Sequence, residues 1–460
     1  MINPKNTKSR RSFLKTAGTG ALCAPYIGWK TTANGAAPSG NIRYAAFGTN
    51  GRAWGNIQSM AGVPNATLVA AAEVDLGRAG NVAKGFPDAK IYQDWRELLE
   101  NEANNFDVAV VATPDHMHAP ISMSAMQLGK HCYCEKPLTR TLHEARVLRE
   151  FAAANNLTTQ MGIQVGSSVG NKTGVKWLRE EAIGKVKEVH SMNPKSWGSM
   201  SPLPDRVDEV PGKLNWDMWI GVSKKRPFIA REFHPSNWRK RIGFGTGTLG
   251  DMGCHIYHPW FQGLNQPVTL SVTSHGPGPV DADSWPLNGM VHHKMKGNNL
   301  SDGDFDFTWY DGNQLPPKNV YDAVGGVTKN DKGQNVSNVP RSGSVVIGTN
   351  GAMVIPHGGA GIPTIYRDGK KVEETPEKAE AGSHHKDFVA HIRGETKEKP
   401  VANWDYAGPM TEAVLLGTVA MRLPAQELKW DDAAGKFTNS EKANALVHDK
   451  YREGWDVKGI

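Results

Sequence analysis

The chain has 460 residues, with 53 Lys+Arg against 46 Asp+Glu, 50 Gly, 28 Pro and 4 Cys, a length that suits two domains rather than one. Its 39% apolar and 22% charged residues exclude wholesale disorder, and the few cysteines exclude a disulfide-dense scaffold. No run approaches the roughly 18 consecutive apolar residues that span a bilayer, so stable membrane insertion of the mature chain is not expected.

The net charge of +7 sits at the start of the chain. Lys5, Lys8, Arg10, Arg11, Lys15 and Lys30 fall within residues 1–37, which hold no acid, and removing them leaves 47 basic against 46 acidic residues. A near-neutral body lacks the electrostatic footprint of a nucleic-acid binder. Ser9-Arg10-Arg11-Ser12-Phe13-Leu14-Lys15 resembles the twin-arginine export signal. A small-residue stretch and Ala33-Asn34-Gly35-Ala36-Ala37 follow, with small residues suited to signal-peptidase cleavage. Residues 1–37 are therefore expected to be a signal peptide, and the mature chain to be periplasmic or otherwise exported.

From Asn41 onward, strands and helices alternate. Ile42–Phe47 reads as a strand, followed by Gly48-Thr49-Asn50-Gly51-Arg52-Ala53 and a helix to about Gly62. Thr67–Val74 gives a second strand, closing on Glu73 and Asp75. Trp95–Asn101 is a short helix, Phe106–Ala112 an apolar strand, Ile121–Leu128 a helix, His131–Cys134 a strand and Leu142–Asn155 a long helix. Apolar strands in βαβ order imply a doubly wound parallel sheet over 41–160. Beyond about Thr159 the texture changes. Val186–Met192 reads as a strand, 193–247 is Trp-, Pro- and Gly-rich, and Val268–Ser274, Phe305–Tyr310 and Ser344–Gly348 alternate with turn signals. This pattern predicts an α+β domain over 161–400 with a large, mostly antiparallel sheet. Ala407–Arg422 is a small-residue-rich helix, and the 401–460 segment is expected to pack back on the first domain.

Three segments carry the chemistry. The first is the turn Gly48-x-Asn50-Gly51-Arg52-Ala53, placed between strand and helix, where a dinucleotide site needs a tight turn, close backbone approach and a helix N-terminus. Asn50 stands where the pattern usually has Gly, and Asn tolerates positive φ better than most residues. Glu73 closes the next strand, where a carboxylate accepts the ribose hydroxyls and repels a 2′-phosphate, favouring NAD over NADP. Arg78, a few residues on, carries the charge that would pair such a phosphate. The second segment is Glu135-Lys136-Pro137, at the carboxyl edge of a parallel strand, where doubly wound folds place ligands. The third is the glycine-rich run into Asp251-Met-Gly-Cys-His255-Ile-Tyr-His258. Asp251 and His255 are i,i+4, so on a helix they share a face and the imidazole can meet the carboxylate. Such a pair suits acid–base work. The pairs His255/His258, His292-His293 and His384-His385 lack a third ligand at hand and are read as structural or catalytic, so no metal is expected. Cys132 and Cys134, two residues apart, read as packing thiols, and Trp238, beside Arg239, is the indole best placed to stack on a sugar ring.

Together these motifs resemble the Gfo/Idh/MocA family of sugar and polyol oxidoreductases, over about 41–430. Thr113-Pro114-Asp115-His116-Met117-His118-Ala119 looks like its TPxxxH segment beside the nicotinamide, Glu135-Lys136-Pro137 its EKP signature, and Asp251 and His255 its DxGxH element. Asn215–Gly221 and Ser236–Arg239 are similar to a branch common among exported bacterial members. His258 stands where many relatives carry Asp, which bears on substrate identity.

The resemblance implies a Rossmann-type NAD-binding domain followed by a substrate and oligomerisation domain. It implies cofactor contacts from Gly48, Asn50, Gly51, Arg52, Glu73, Thr113, Pro114, His116, His118, Glu135, Lys136 and Gln164. It implies substrate contacts from Lys136, Trp238, Arg239, Asp251 and His255. The expected reaction is hydride transfer between a CH–OH of a sugar, sugar derivative or cyclitol and nicotinamide, with His255 as base, Asp251 orienting it and Lys136 polarising the oxygen. A redox-neutral glycoside hydrolase or epimerase that retains its cofactor, and a non-catalytic carbohydrate-binding relative, are the alternatives. A homo-dimer or tetramer is expected.

Overall fold

The computed structural model describes residues 40–358 and 361–460. The expected leader lies outside the described residues. The first part of the body is a parallel sheet of β1 (Ile42–Phe47), β2 (Ala66–Ala72), β3 (Lys90–Tyr92), β4 (Val108–Val111), β5 (His131–Cys134) and β6 (Thr159–Met161), in the order β3-β2-β1-β4-β5-β6. The order reverses between β1 and β4, so the carboxyl ends of those two strands frame a crevice. The strands read as apolar runs because helices cover both faces. Tyr44 and Val110 face one layer while Phe47, Ala109 and Val111 face the other. Helix α1 (Arg52–Ala61) follows β1 directly, and α2 (Leu142–Ala154) is closed at its start by a reciprocal Thr141–Glu144 capping box.

The second part is a ten-stranded sheet. Its centre pairs β7 (Val186–Asn193) in parallel with the long strand Ser301–Asp311, and its other ladders are antiparallel. Helix α3 (Gly247–Gly263) and α4 (Trp404–Arg422) pack against each other and both lie on this sheet, with Tyr257 and Trp260 fully buried on the sheet side of α3. The C-terminal segment serves both domains. Helix α4 packs on α2 of the first domain as well as on α3, Tyr451 donates to Glu144 at 2.7 Å, and Leu428–Asp431 pairs with Thr269–Ser274 in the large sheet.

The region 194–245 between the two sheets returns to the first domain. Asn215 N donates to Val74 O at 2.8 Å, Leu76 N donates to Lys213 O at 3.0 Å, and His234 pairs with Asp75 at 2.9 Å. Its aromatic residues Trp216, Trp219, Phe228, Phe233 and Phe244 form a separate small core, which explains a Trp-rich stretch without helical or strand periodicity. It walls one side of the crevice. Among the described residues no helix is long and apolar enough to cross a membrane.

Candidate active site

A cleft of about 1030 Å³ opens at the carboxyl edge of the parallel sheet and runs between the first domain, the 194–245 wall and the start of α3. At one end is the β1–α1 turn. Gly48 has φ +95°, and a Cβ there would stand 2.8 Å from the Ala112 carbonyl oxygen, so only glycine allows β1 and β4 to approach. Gly51 has φ +58° and caps α1 with open space beside it. The left-handed conformations fall on these glycines and not on Asn50, contrary to the expectation for that residue. Asn50 acts through its side chain. Its Oδ1 accepts from Gly51 N at 2.7 Å and from Arg78 Nη2 at 3.1 Å, so the residue that departs from the usual glycine knits the turn to the segment after β2. Glu73 is buried and oriented. Thr49 N and Oγ1 donate to its Oε2 at 3.1 and 2.9 Å, and Asp75 N donates to its Oε1 at 3.1 Å.

In the middle of the cleft, Thr113 and Pro114 follow β4, and His118 bridges their turn to the next one. Its two ring nitrogens lie 2.9 Å from Thr113 O and 2.8 Å from Pro137 O. Glu135 accepts from Asn56 Nδ2 at 2.9 Å and from Gln164 Nε2 at 2.7 Å, a cluster below the turn that carries Lys136. His116, expected among the cofactor contacts, does not line the cleft. Its ring is fully buried against Trp219 and Phe244, with Nε2 3.0 Å from Trp219 O, and burial pushes its pKa down to about 3. The 3-10 turn Asp115–Met117 aims consecutive side chains in different directions, and the aromatic core of the wall captures this one.

At the other end, α3 projects Asp251 and His255 from its first three turns. Their expected contact is not made, because cations take the carboxylate instead. Lys136 Nζ donates to Asp251 Oδ1 at 2.7 Å and to its backbone oxygen at 2.8 Å. Lys195 Nζ donates to Oδ2 at 3.0 Å, Trp197 Nε1 to Oδ2 at 2.9 Å, and Arg239 Nε to Oδ1 at 3.2 Å. These cations hold the Asp251 carboxyl far below the usual carboxylate range against the opposing effect of burial. His255 Nδ1 is buried without a hydrogen-bond partner among the described residues, and its ring lies 5.5 Å from that of His357. Burial, with Lys136 and His357 nearby, holds its pKa well below the ordinary imidazole value, so the ring is neutral and available as a base. Trp238 lies under the Arg239 guanidinium at 4.2 Å, so that indole face meets a cation rather than standing open for a sugar. His258 points away from the cleft. It is fully buried, with Nδ1 2.9 Å from Tyr406 Oη, and so bears on packing rather than on substrate identity. Cys132, Cys134 and Cys254 are free and buried.

The cleft thus gathers Gly48, Asn50, Gly51, Arg52, Glu73, Thr113, Pro114, His118, Glu135, Lys136, Gln164, Trp238, Arg239, Asp251 and His255. It adds Asp115, Lys195, Trp197, Trp219 and His357, which sequence reasoning missed. Lys195 and Trp197 come from an irregular segment and His357 from a loop, so no periodic pattern announced them. Asp115 lies within the Thr113–Ala119 motif, on a short 3-10 turn without a periodicity that tells which side chains face the cleft.

Comparison with known proteins finds matches for two segments of the chain. Residues 42–163 match the model of an oxidoreductase family, NAD-binding Rossmann fold, and residues 186–285 match that family's C-terminal alpha/beta domain. Levoglucosan dehydrogenase of Pseudarthrobacter phenanthrenivorans is 25% identical over 194 residues, 42% of this chain and 41% of that protein. The scyllo-inositol 2-dehydrogenase (NADP(+)) of Bacillus subtilis is 24% identical over 198 residues, 42% of this chain and 45% of that protein. The chain therefore spans less than half the length of these curated relatives. A solved levoglucosan dehydrogenase in complex with NADH and levoglucosan shares the fold, with a TM-score of 0.55 at 16% identity over 85% of this chain and 99% of that one.

Proposed function

We propose, from the matches of residues 42–163 and 186–285 to the two domain models of the Gfo/Idh/MocA oxidoreductase family, that this chain oxidises a CH–OH group of a sugar, sugar derivative or cyclitol with NAD. The observation that carries this reading is the convergence of Lys136 and a neutral His255, its Nδ1 unpartnered among the described residues, on the cleft that begins at the Gly48 turn. The residues fit the cofactor. The close-packed glycine turn at a helix N-terminus suits a pyrophosphate, and Glu73, held by Thr49, suits ribose hydroxyls and disfavours a 2′-phosphate. When bound, NAD supplies the hydride acceptor.

The remaining chemistry belongs to the chain. A substrate hydroxyl between Lys136 and His255 gives its proton to the imidazole, which burial keeps neutral. Lys136 has three N–H donors, of which Asp251 takes two, and the third stabilises the developing alkoxide. Asp251 acts by fixing Lys136 rather than by orienting His255. The Ser9–Lys15 motif supports export of the mature chain.

The test is a binding titration of NAD and NADP followed by a screen of sugars and cyclitols for NADH formation. NAD is expected to bind more tightly than NADP, and Glu73→Ser to narrow that preference by about tenfold. Failure of the protein to bind either dinucleotide would defeat the reading.

A further inference from the structure

The substrate end of the cleft is more cationic than a neutral sugar or cyclitol requires. Lys136, Lys195 and Arg239 converge on the single carboxylate of Asp251, at 2.7, 3.0 and 3.2 Å. The other acid at this end, Asp115, is buried and accepts from Thr246 Oγ1 at 2.7 Å, and burial pushes its carboxyl above the ordinary value. Three cations thus face Asp251, and an ionised Asp115 still leaves them one in excess; Glu135, the acid beside Lys136, is engaged by Asn56 and Gln164. Partly buried charge of one sign is unfavourable unless a ligand supplies the other.

Arg239 marks where that ligand sits. Its Nε is committed to Asp251, and its guanidinium lies 4.2 Å from the Trp238 ring and 5.5 Å from the Trp197 ring. Trp197 is itself held by its Nε1 bond to Asp251. The guanidinium plane is therefore oriented before any ligand arrives, and its side chain is only 25% exposed. Neither Nη group hydrogen-bonds to any described residue. Beside it, Lys195 spends one N–H on Asp251 and leaves two free. An oriented planar fork with both amino groups open matches the two coplanar oxygens of a carboxylate. A hydroxyl fills only one such position and carries no counter-charge.

Resting on the oxidoreductase reading above, we infer that the substrate is an acidic sugar whose carboxylate docks on the Arg239 Nη groups and Lys195, while its reacting hydroxyl lies at Lys136 and His255. Arg239 and Lys195 are then the residues that select the substrate. A charge surplus this small takes a monoanion, which favours a sugar carboxylate over a phosphate ester.

Tryptophan fluorescence tests this directly, because Trp197 and Trp238 wall the site. NAD-loaded protein is titrated with hexuronates and aldonates, with the neutral hexoses of the same configuration, and with hexose phosphates. The acids are expected to bind about tenfold or more tightly than their neutral counterparts, with an advantage that shrinks as salt rises. Arg239→Gln is expected to weaken acid binding by about tenfold or more and neutral-sugar binding by a clearly smaller factor. Lys195→Met, at a half-exposed residue whose loss the fold tolerates, is expected to lower the preference by a smaller factor. Equal binding of acid and neutral forms, preference for the phosphates, or equal weakening of both ligands by Arg239→Gln would overturn the inference. NAD affinity measured on the same proteins separates the two readings. Normal NAD binding without acid preference removes only the acidic substrate, whereas absent NAD binding removes the oxidoreductase reading and this inference with it.

Discussion

Lys136 meets both the carboxylate and the backbone oxygen of Asp251, while Nδ1 of His255, one turn further along the same helix, has no hydrogen-bond partner among the described residues. In the proposed chemistry the two residues therefore do different work, one as fixed cation and one as free base. His255→Asn is expected to lower kcat for oxidation by about 10²- to 10⁴-fold with little change in NAD binding. Because burial holds the His255 pKa well below 6.5, the base stays deprotonated as pH falls from 8 to 6. The kcat profile of the folded enzyme should show no break near 6.5, and a break there that disappears in His255→Asn would contradict the environment described. Lys136, Asp251, His255 and Glu73 were legible because each closes a strand or opens a helix in a recognisable segment. The use of Asp251 was not legible, since i,i+4 spacing on α3 gives a shared face but cannot reveal three cations arriving from 136, 195 and 239. His116 was misread for a related reason, as a short 3-10 turn has no periodicity from which to read a side chain's direction.

At the scale of elements, the β1–α1 turn and the 194–245 wall decide the cleft. Gly48 is required by both its φ of +95° and the 2.8 Å approach to Ala112 O. Gly48→Ala is expected to cost about 1–3 kcal/mol of stability and to weaken NAD binding, measured by denaturant unfolding and by titration. An alanine variant with unchanged affinity and stability would show that the turn is not constrained as described. The parallel strands were readable from sequence because burial on both faces leaves continuous apolar runs such as Val108–Val111. The large sheet was readable in class but not in pairing. Its central strand runs the full length Ser301–Asp311 although Gly303 and exposed acids interrupt its apolar pattern, and the C-terminal Leu428–Asp431 joins its edge from far along the chain. The wall was opaque, because its order comes from an aromatic cluster and from hydrogen bonds back to Val74 and Leu76 rather than from local periodicity.

The whole molecule stores several neutral histidines in its interior. Burial pushes His116, His293 and His384 down to about 3 and His131, His258 and His385 to about 4. Near neutral pH both folded and unfolded states leave these rings uncharged. As pH falls through about 6.5 the unfolded chain takes up protons that the folded chain refuses, and each ring then removes up to about 1.4 kcal/mol of stability per pH unit until its folded pKa is reached. The melting temperature should therefore fall steeply between pH 6.5 and 4, and a flat profile across that window would refute the burial of these rings. The measurement that bears most directly on function is a single turnover of NAD-loaded protein mixed with a sugar or cyclitol and followed by NADH absorbance, beside Lys136→Ala as control. The wild-type chain is expected to form NADH on at least one such substrate, whether it accumulates or is consumed again within a closed cycle, and the variant to form it about 10²- to 10³-fold more slowly. Bound NAD that stays oxidised with every sugar and cyclitol tried, or a Lys136→Ala variant as fast as wild type, would contradict the proposed chemistry.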